Sequence, residues 1–203
     1  MRTIEETRRA DAAAVRASVA VVARATAADL GRPTPCAGWD LGALLAHMTV
    51  QHRGFAAAAA GQGGDLAVWR PVPLGDDPVR EYAAAAEEVI AAFAAGSTPD
   101  QAFTLPEIST QQTFPAGVAI GFHLVDYVAH GWDVAMSLGV PFELPTDVLE
   151  VALPIAERVP AGESRTRPGA AFAPIVSAPG DTDLLTRILA LLGRSPKTVG
   201  GSL

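Results

Sequence analysis

Residues 121–137 read Gly121-Phe-His-Leu-Val-Asp-Tyr-Val-Ala-His-Gly-Trp-Asp-Val-Ala-Met-Ser137, and the periodicity of this stretch decides the fold. At about 100° per residue, His123, Asp126, His130, Asp133 and Ser137 share one stripe about 80° wide. Phe122, Val125, Val128, Ala129, Trp132, Ala135 and Met136 cover most of the remaining circumference. A helix that is apolar on most sides is wrapped by other protein. A polar stripe turned inward carries a large desolvation cost unless its imidazoles and carboxylates are paired, hydrogen-bonded or bound to a cation. Asp126 and His130 lie one turn apart, so both side chains reach a single ion. A metal site is the leading expectation, set against the plainer alternative of a wet face on an amphipathic surface helix.

The distribution of histidine favours the metal. The chain has four histidines, and all fall on two predicted helices, His47 and His52 on one and His123 and His130 on the other. A bundle-core metal centre needs a further ligand from a second helix. On the helical wheel His52 lies near the middle of the Leu41, Leu45, Met48 and Phe55 stripe, and His47 lies to one side of it. His123, one turn before Asp126, competes as a ligand.

Around this centre the chain reads as helices. Residues 3–29 are rich in helix formers, and a first helix is expected to end before Gly31-Arg32-Pro33. Thr34-Pro35-Cys36-Ala37-Gly38-Trp39 forms a tight loop, after which Asp40 caps a helix to about Ala60. Gly61 to Pro78 is a long connection, and Asp76-Asp77-Pro78 opens a third helix to about Ala95. Residues 97–113 are irregular or briefly extended. The central helix begins near Pro115, with Thr113 as cap, and stops at Gly139-Val140-Pro141. Thr146 caps a fifth helix from Asp147 to about Val159, residues 160–181 form a surface excursion, and Asp183 to Leu192 form a short last helix. The fold class is all-α, a four-helix bundle with an additional C-terminal helical segment, and the long connection between helices two and three suits a crossover. One domain is expected over 1–203, with the bundle core at about 3–160 and a tail at about 161–203.

Composition narrows the function. The 203 residues carry a formal charge of −7 without any basic cluster, which argues against nucleic-acid binding. Acids stand where a signal peptide needs a basic, then apolar, run, and no segment has the length of a membrane span, so a cytoplasmic location is expected. The single cysteine, Cys36, excludes an internal disulfide and a cysteine-only zinc cluster. Any metal is therefore held by imidazole and carboxylate, donors that suit Zn²⁺ first and Ni²⁺ or Fe²⁺ as alternatives. Cys36 is read as a small packed side chain, Trp39 as an anchor for the start of helix two, and Glu81, Glu87 and Glu88 as a solvated face of helix three. Ala-rich helix faces make a homodimer an option.

Three pieces of sequence together carry a family resemblance. They are Thr34-Pro-Cys-Ala-Gly-Trp39 leading into Leu44-Leu-Ala-His47, then Asp126-Tyr-Val-Ala-His130-Gly-Trp-Asp133, and a closing Leu191-Leu-Gly-Arg-Ser-Pro196. With them the chain resembles the DinB-like bundle proteins related to mycothiol-dependent maleylpyruvate isomerase, in particular actinobacterial members with a short C-terminal tail. The resemblance implies a divalent metal held by His47, Asp126 and His130, with Asp126 standing where the isomerase pattern has Glu. His52, His123 and Asp133 are then supporting residues around those ligands, Asp133 as a carboxylate that can orient a ligand imidazole. It also implies a small-molecule enzyme of the thiol-dependent transferase or isomerase kind. There a coordinated thiol, mycothiol in the related isomerase, loses its proton and attacks an electrophilic carbon. The alternative is a bundle that binds metal without turnover.

Overall fold

The computed structural model describes residues 2–36, 38–95, 98–167, 170–178 and 180–195. Ala37 of the tight loop and Pro196 of the closing motif lie outside them. Four long helices form the bundle: α1 (Ile4–Val22), α2 (Leu41–Ala59), α3 (Pro78–Ala94) and α4 (Ala116–Leu138). Two shorter ones follow, α5 (Thr146–Ala156) and α6 (Leu184–Leu191). A two-residue antiparallel pair, β1 (Ala102–Phe103) with β2 (Phe114–Pro115), is the only sheet among the described residues. The fold is all-α and of the DinB-like type.

Local chemistry sets the helix starts. Thr3 and Glu6 make a reciprocal capping box at α1, and Asp40, Asp77 and Asp183 each accept a backbone N–H at the first turn of α2, α3 and α6. The start of α4 differs from expectation. Pro115, not Thr113, is its cap residue, and the Ala116 N–H is satisfied by the Gln101 carbonyl at 2.9 Å instead of by a side chain. Likewise α5 takes Pro145 as its cap residue and already includes Thr146. α1 stops seven residues short of the expected end. There Thr26 donates its N–H and hydroxyl to the Asp29 carboxylate, and this local box builds a separate 3-10 turn at Ala27–Asp29.

Cross-helix contacts define the bundle's topology. Asp11 meets His123, and Ser18 lies against Gly131, so α1 and α4 run parallel. His47 meets His130 and His52 meets His123, so α2 runs antiparallel to α4. Tyr82 sits at the level of Ser18, and Phe93 at the level of His123, which makes α3 parallel to α2. Parallel neighbours need a long crossover, and residues 60–77 supply it. That segment is pinned by Trp69, which donates to the Gly63 carbonyl and packs on Phe55. Gly54 makes room for it: a Cβ there would sit 2.4 Å from the Trp69 ring.

α5 packs on α1 and α4, and α6 on α5. Their apolar contacts, among them Val148, Leu149, Ala152, Ile188 and Leu192, extend the core around α4. The segment after α5 is more than a surface excursion. Arg165 is buried and donates to the carbonyls of Val159, Pro160, Ala173 and Leu191, which ties the connection to the end of α6. Among the described residues no helix is long and apolar enough to cross a membrane.

Candidate metal centre

The stripe on α4 faces the bundle interior and is not the wet face of a surface helix. His123, His130, Asp133 and Ser137 are buried, and Asp126 is partly exposed at the rim. Across from it, α2 presents His47. Donor atoms of His47, Asp126 and His130 all lie within 4.8 Å of one another, with His130 Nε2 3.4 Å from Asp126 Oδ1. Ligands bonded at about 2.0–2.1 Å to a tetrahedral ion sit about 3.3 Å apart, so the His130–Asp126 spacing is already that of two ligands of one ion, and His47 lies within reach of the same point. The donor chemistry fits as well. Burial pulls His47 down to about 4, against the opposing charge of Asp126, and its imidazole is therefore neutral, the form that coordinates.

Asp133 stands behind His130. Its Oδ2 accepts from His130 Nδ1 at 3.0 Å and from Arg194 Nη2 at 2.8 Å, while Oδ1 faces Arg194 Nε at 3.3 Å. Burial works to raise this carboxyl, but the His130 hydrogen bond and the Arg194 guanidinium outweigh it and hold it below its ordinary value. With Nδ1 engaged as a donor, the lone pair of His130 sits on Nε2, toward Asp126.

The loop before α2 closes the other side. Thr34 Oγ1 accepts from the Cys36 N–H and donates to the Trp39 carbonyl, and Gly38, at φ +84°, turns the chain between them. This brings the Trp39 ring to 4.7 Å from His47 and 6.4 Å from His130. Trp39 thus walls the site as well as anchoring the helix. The sequence favours plain packing for Cys36; the structure sets its Sγ within 4.8 Å of donor atoms of His130 and Asp133. Burial raises its thiol above the ordinary value.

His52 and His123 do not join the three donors. They form a deeper layer, in which His52 Nδ1 meets His123 Nε2 at 3.1 Å and His123 Nδ1 meets Asp11 Oδ1 at 2.6 Å. The His52 ring stacks on Tyr127 at 4.0 Å, and the Tyr127 hydroxyl donates to the Met48 carbonyl. Asp11 was missed in the sequence. Its signal was present, because it lies on the buried face of α1 with Thr7, Ala10, Ala14, Val15 and Ser18, where an acid needs a partner. A groove of about 640 Å³ between α2 and α3, edged by Arg53, Arg70, Glu81 and Glu88, lies on the outer side of α2 and is not lined by His47, Asp126 or His130.

Comparison with known proteins places the chain in a family. Two uncharacterized proteins from two strains of Mycobacterium tuberculosis are each 28% identical to the chain over 184 residues, covering 88% of it and 92% of their own length. No solved structure matches. The family model described as the mycothiol maleylpyruvate isomerase N-terminal domain matches residues 12–135, a stretch that runs from the middle of α1 through His47 to His130 and Asp133. With more than half of its length matched and both halves of the donor set inside that stretch, the chain belongs to the mycothiol maleylpyruvate isomerase N-terminal domain family.

Proposed function

We propose that His47, Asp126 and His130 hold one divalent metal ion, zinc first and nickel or iron as alternatives, in an enzyme that uses a low-molecular-weight thiol of the mycothiol type. The reaction class is thiol-dependent transfer or isomerisation of a small electrophilic molecule. The observation that carries this reading is the convergence of two imidazoles and one carboxylate from α2 and α4 on one point. A bound divalent ion supplies Lewis acidity and lowers the pKa of a coordinated thiol or water.

The chain's own residues have definable parts in this reading. His47 stays neutral through burial, and His130 is held with Nε2 toward the shared point by Asp133. Asp126 offsets part of the ion's charge and, with a side chain 21% exposed, marks the side open to solvent and small molecules. Trp39 packs its ring beside both imidazoles and so narrows that opening. A closed, purely structural centre needs a fourth protein donor. His123 does not serve as one, since both of its ring nitrogens are taken by Asp11 and His52, and Cys36 is grouped with His130 and Asp133 but not with His47 and Asp126.

The test is metal content followed by thiol binding. Untagged protein should contain close to one equivalent of a divalent metal by elemental analysis. Cobalt-substituted protein titrated with mycothiol, or with cysteine as a simpler thiol, should develop a thiolate-to-cobalt charge-transfer band. Protein that holds no metal contradicts the reading at its root. Metal without any thiol response moves the protein to the non-catalytic alternative.

A further inference from the structure

The family match ends at residue 135, yet a residue 61 positions beyond Asp133 reaches into the centre. We infer that Arg194 is a positioning residue for the metal centre: it fixes the Asp133 carboxylate that orients His130, so docking of the C-terminal segment and ion binding are coupled. The inference rests on the metal reading given above and concerns how the donor set is held in place.

Every nitrogen of the Arg194 guanidinium is used. Nη2 and Nε fork onto the two oxygens of Asp133, and Nη1 donates to the Leu192 carbonyl at 2.9 Å. The plane lies over the Phe172 ring at 5.6 Å. A two-point pairing restrains rotation of the carboxylate as well as its position. Asp133 therefore offers His130 an acceptor of defined direction, and the Nδ1 hydrogen bond to it fixes the plane of the ring. That plane aims Nε2 at the space shared with Asp126 and His47. Without Arg194 the carboxylate loses its fixed orientation, and the His130 ring loses its reason to hold one tautomer and one rotamer.

Arg194 is delivered by a built turn. α6 ends at Leu191, Gly193 adopts φ +76°, and the Gly193 and Arg194 N–H groups bond back to the Ala190 and Leu189 carbonyls at 3.1 and 2.8 Å. Arg165, with the four carbonyls it ties together, holds Val159, Pro160 and Ala173 against this turn. Hydrogen bonds thus tie Val159, Pro160 and Ala173 to Leu191 through Arg165, and Arg194, three residues on in the same turn, carries the contact to Asp133 and through it to His130. Because coupling of this kind is reciprocal, an ion that favours the oriented His130 must also favour the docked segment.

Three measurements test this on full-length protein. Zinc chloride titrated into metal-stripped protein should bind tenfold to a hundredfold more weakly to Arg194→Ala than to wild type, with Arg194→Lys between them because it keeps charge but loses the fork. In the metal-free state, ¹⁵N-histidine NMR should show His130 of wild type as a single Nδ1–H tautomer and Arg194→Ala as a mixture. Zinc should slow hydrogen exchange at the Val176 and Arg194 amides of wild type and leave them unchanged in Arg194→Ala. Should Arg194→Ala fail to fold, Arg194→Lys carries the same three comparisons. A purely structural arginine would lower the melting temperature while leaving zinc affinity of the folded variant within about twofold and the His130 ring signals unaltered, and that result overturns the inference. If wild type takes up no zinc, the metal reading fails by itself, and the metal-free ring signals still decide whether Arg194 positions His130.

Discussion

Asp11 of α1 and His123 of α4 meet at 2.6 Å in the middle of the bundle with almost no exposure, joining helices 112 positions apart in the chain. The pair continues into His52, so one carboxylate serves two buried imidazoles and links three of the four bundle helices. Removing it leaves both rings with polar atoms facing an apolar core. We expect Asp11→Ala to destabilise the fold by roughly 3 kcal/mol and Asp11→Asn, which keeps the shape and an acceptor, by about half of that. Urea denaturation with an unchanged m-value checks the magnitude. Zinc affinity should stay within about twofold, because the pair lies one layer away from His47, Asp126 and His130; a large loss would show the two layers to be one unit.

What the sequence made legible was local. The starts of α2, α3 and α6 follow from Asp40, Asp77 and Asp183, and the end of α4 from Gly139, because a cap is a contact within one turn. The inward stripe of α4 was legible because it is a periodicity. The end of α1 was not, since the run of alanines and valines through residue 25 carries no stop and the Thr26–Asp29 box outcompetes it. Periodicity alone points to His52, at the middle of the α2 stripe, and only the resemblance points to His47; in the structure their neighbours separate them, Trp39 and His130 for His47 and His123 and Tyr127 for His52. The pairing of Arg194 with Asp133 leaves no local trace at all.

Acid should weaken the protein for a reason visible in two histidines. Burial depresses His47 to about 4 and His52 well below its ordinary value, so the native state refuses protons that the unfolded chain accepts. Stability is therefore fully present above about pH 6.5 and is lost as pH falls from there toward 4, with a slope approaching about 1.4 kcal/mol per pH unit for each group. Asp11, pushed up by burial against the pull of His123, works in the opposite direction. Thermal melts of metal-stripped protein from pH 8 to pH 5 should show the fall. His52→Phe, which keeps the stack on Tyr127, should flatten it; an identical pH profile in that variant would refute the assignment.

His130→Ala separates the fold from the metal. The substitution removes one of three donors but leaves Asp133 paired with Arg194, so no buried charge is orphaned. A destabilisation of about 1–2 kcal/mol is expected, with zinc affinity reduced by at least about a hundredfold and thiol-dependent turnover lost. Calorimetry and elemental analysis on the same preparation check both. If stripping the metal from wild type instead unfolds it, binding energy is folding energy and the centre is structural.

The turn that delivers Arg194 offers a test that touches neither donor nor arginine. Gly193 holds φ +76°, a region L side chains rarely adopt, and a Cβ there would meet the Ala173 carbonyl oxygen at 2.4 Å. Backbone cannot step aside as a flexible side chain can, so Gly193→Ala combines conformational strain with a direct clash. We expect a loss of about 2 kcal/mol or more, concentrated in the C-terminal segment, because α6 packs mainly on α5. Limited proteolysis should then cut first within residues 160–180, while the bundle fragment survives. Zinc affinity should drop along with the docking of the segment, and saturating zinc should restore part of the resistance to cleavage. Gly193→Ala with a loosened segment but wild-type zinc affinity would mean that the bundle holds His130 in place without help from the tail.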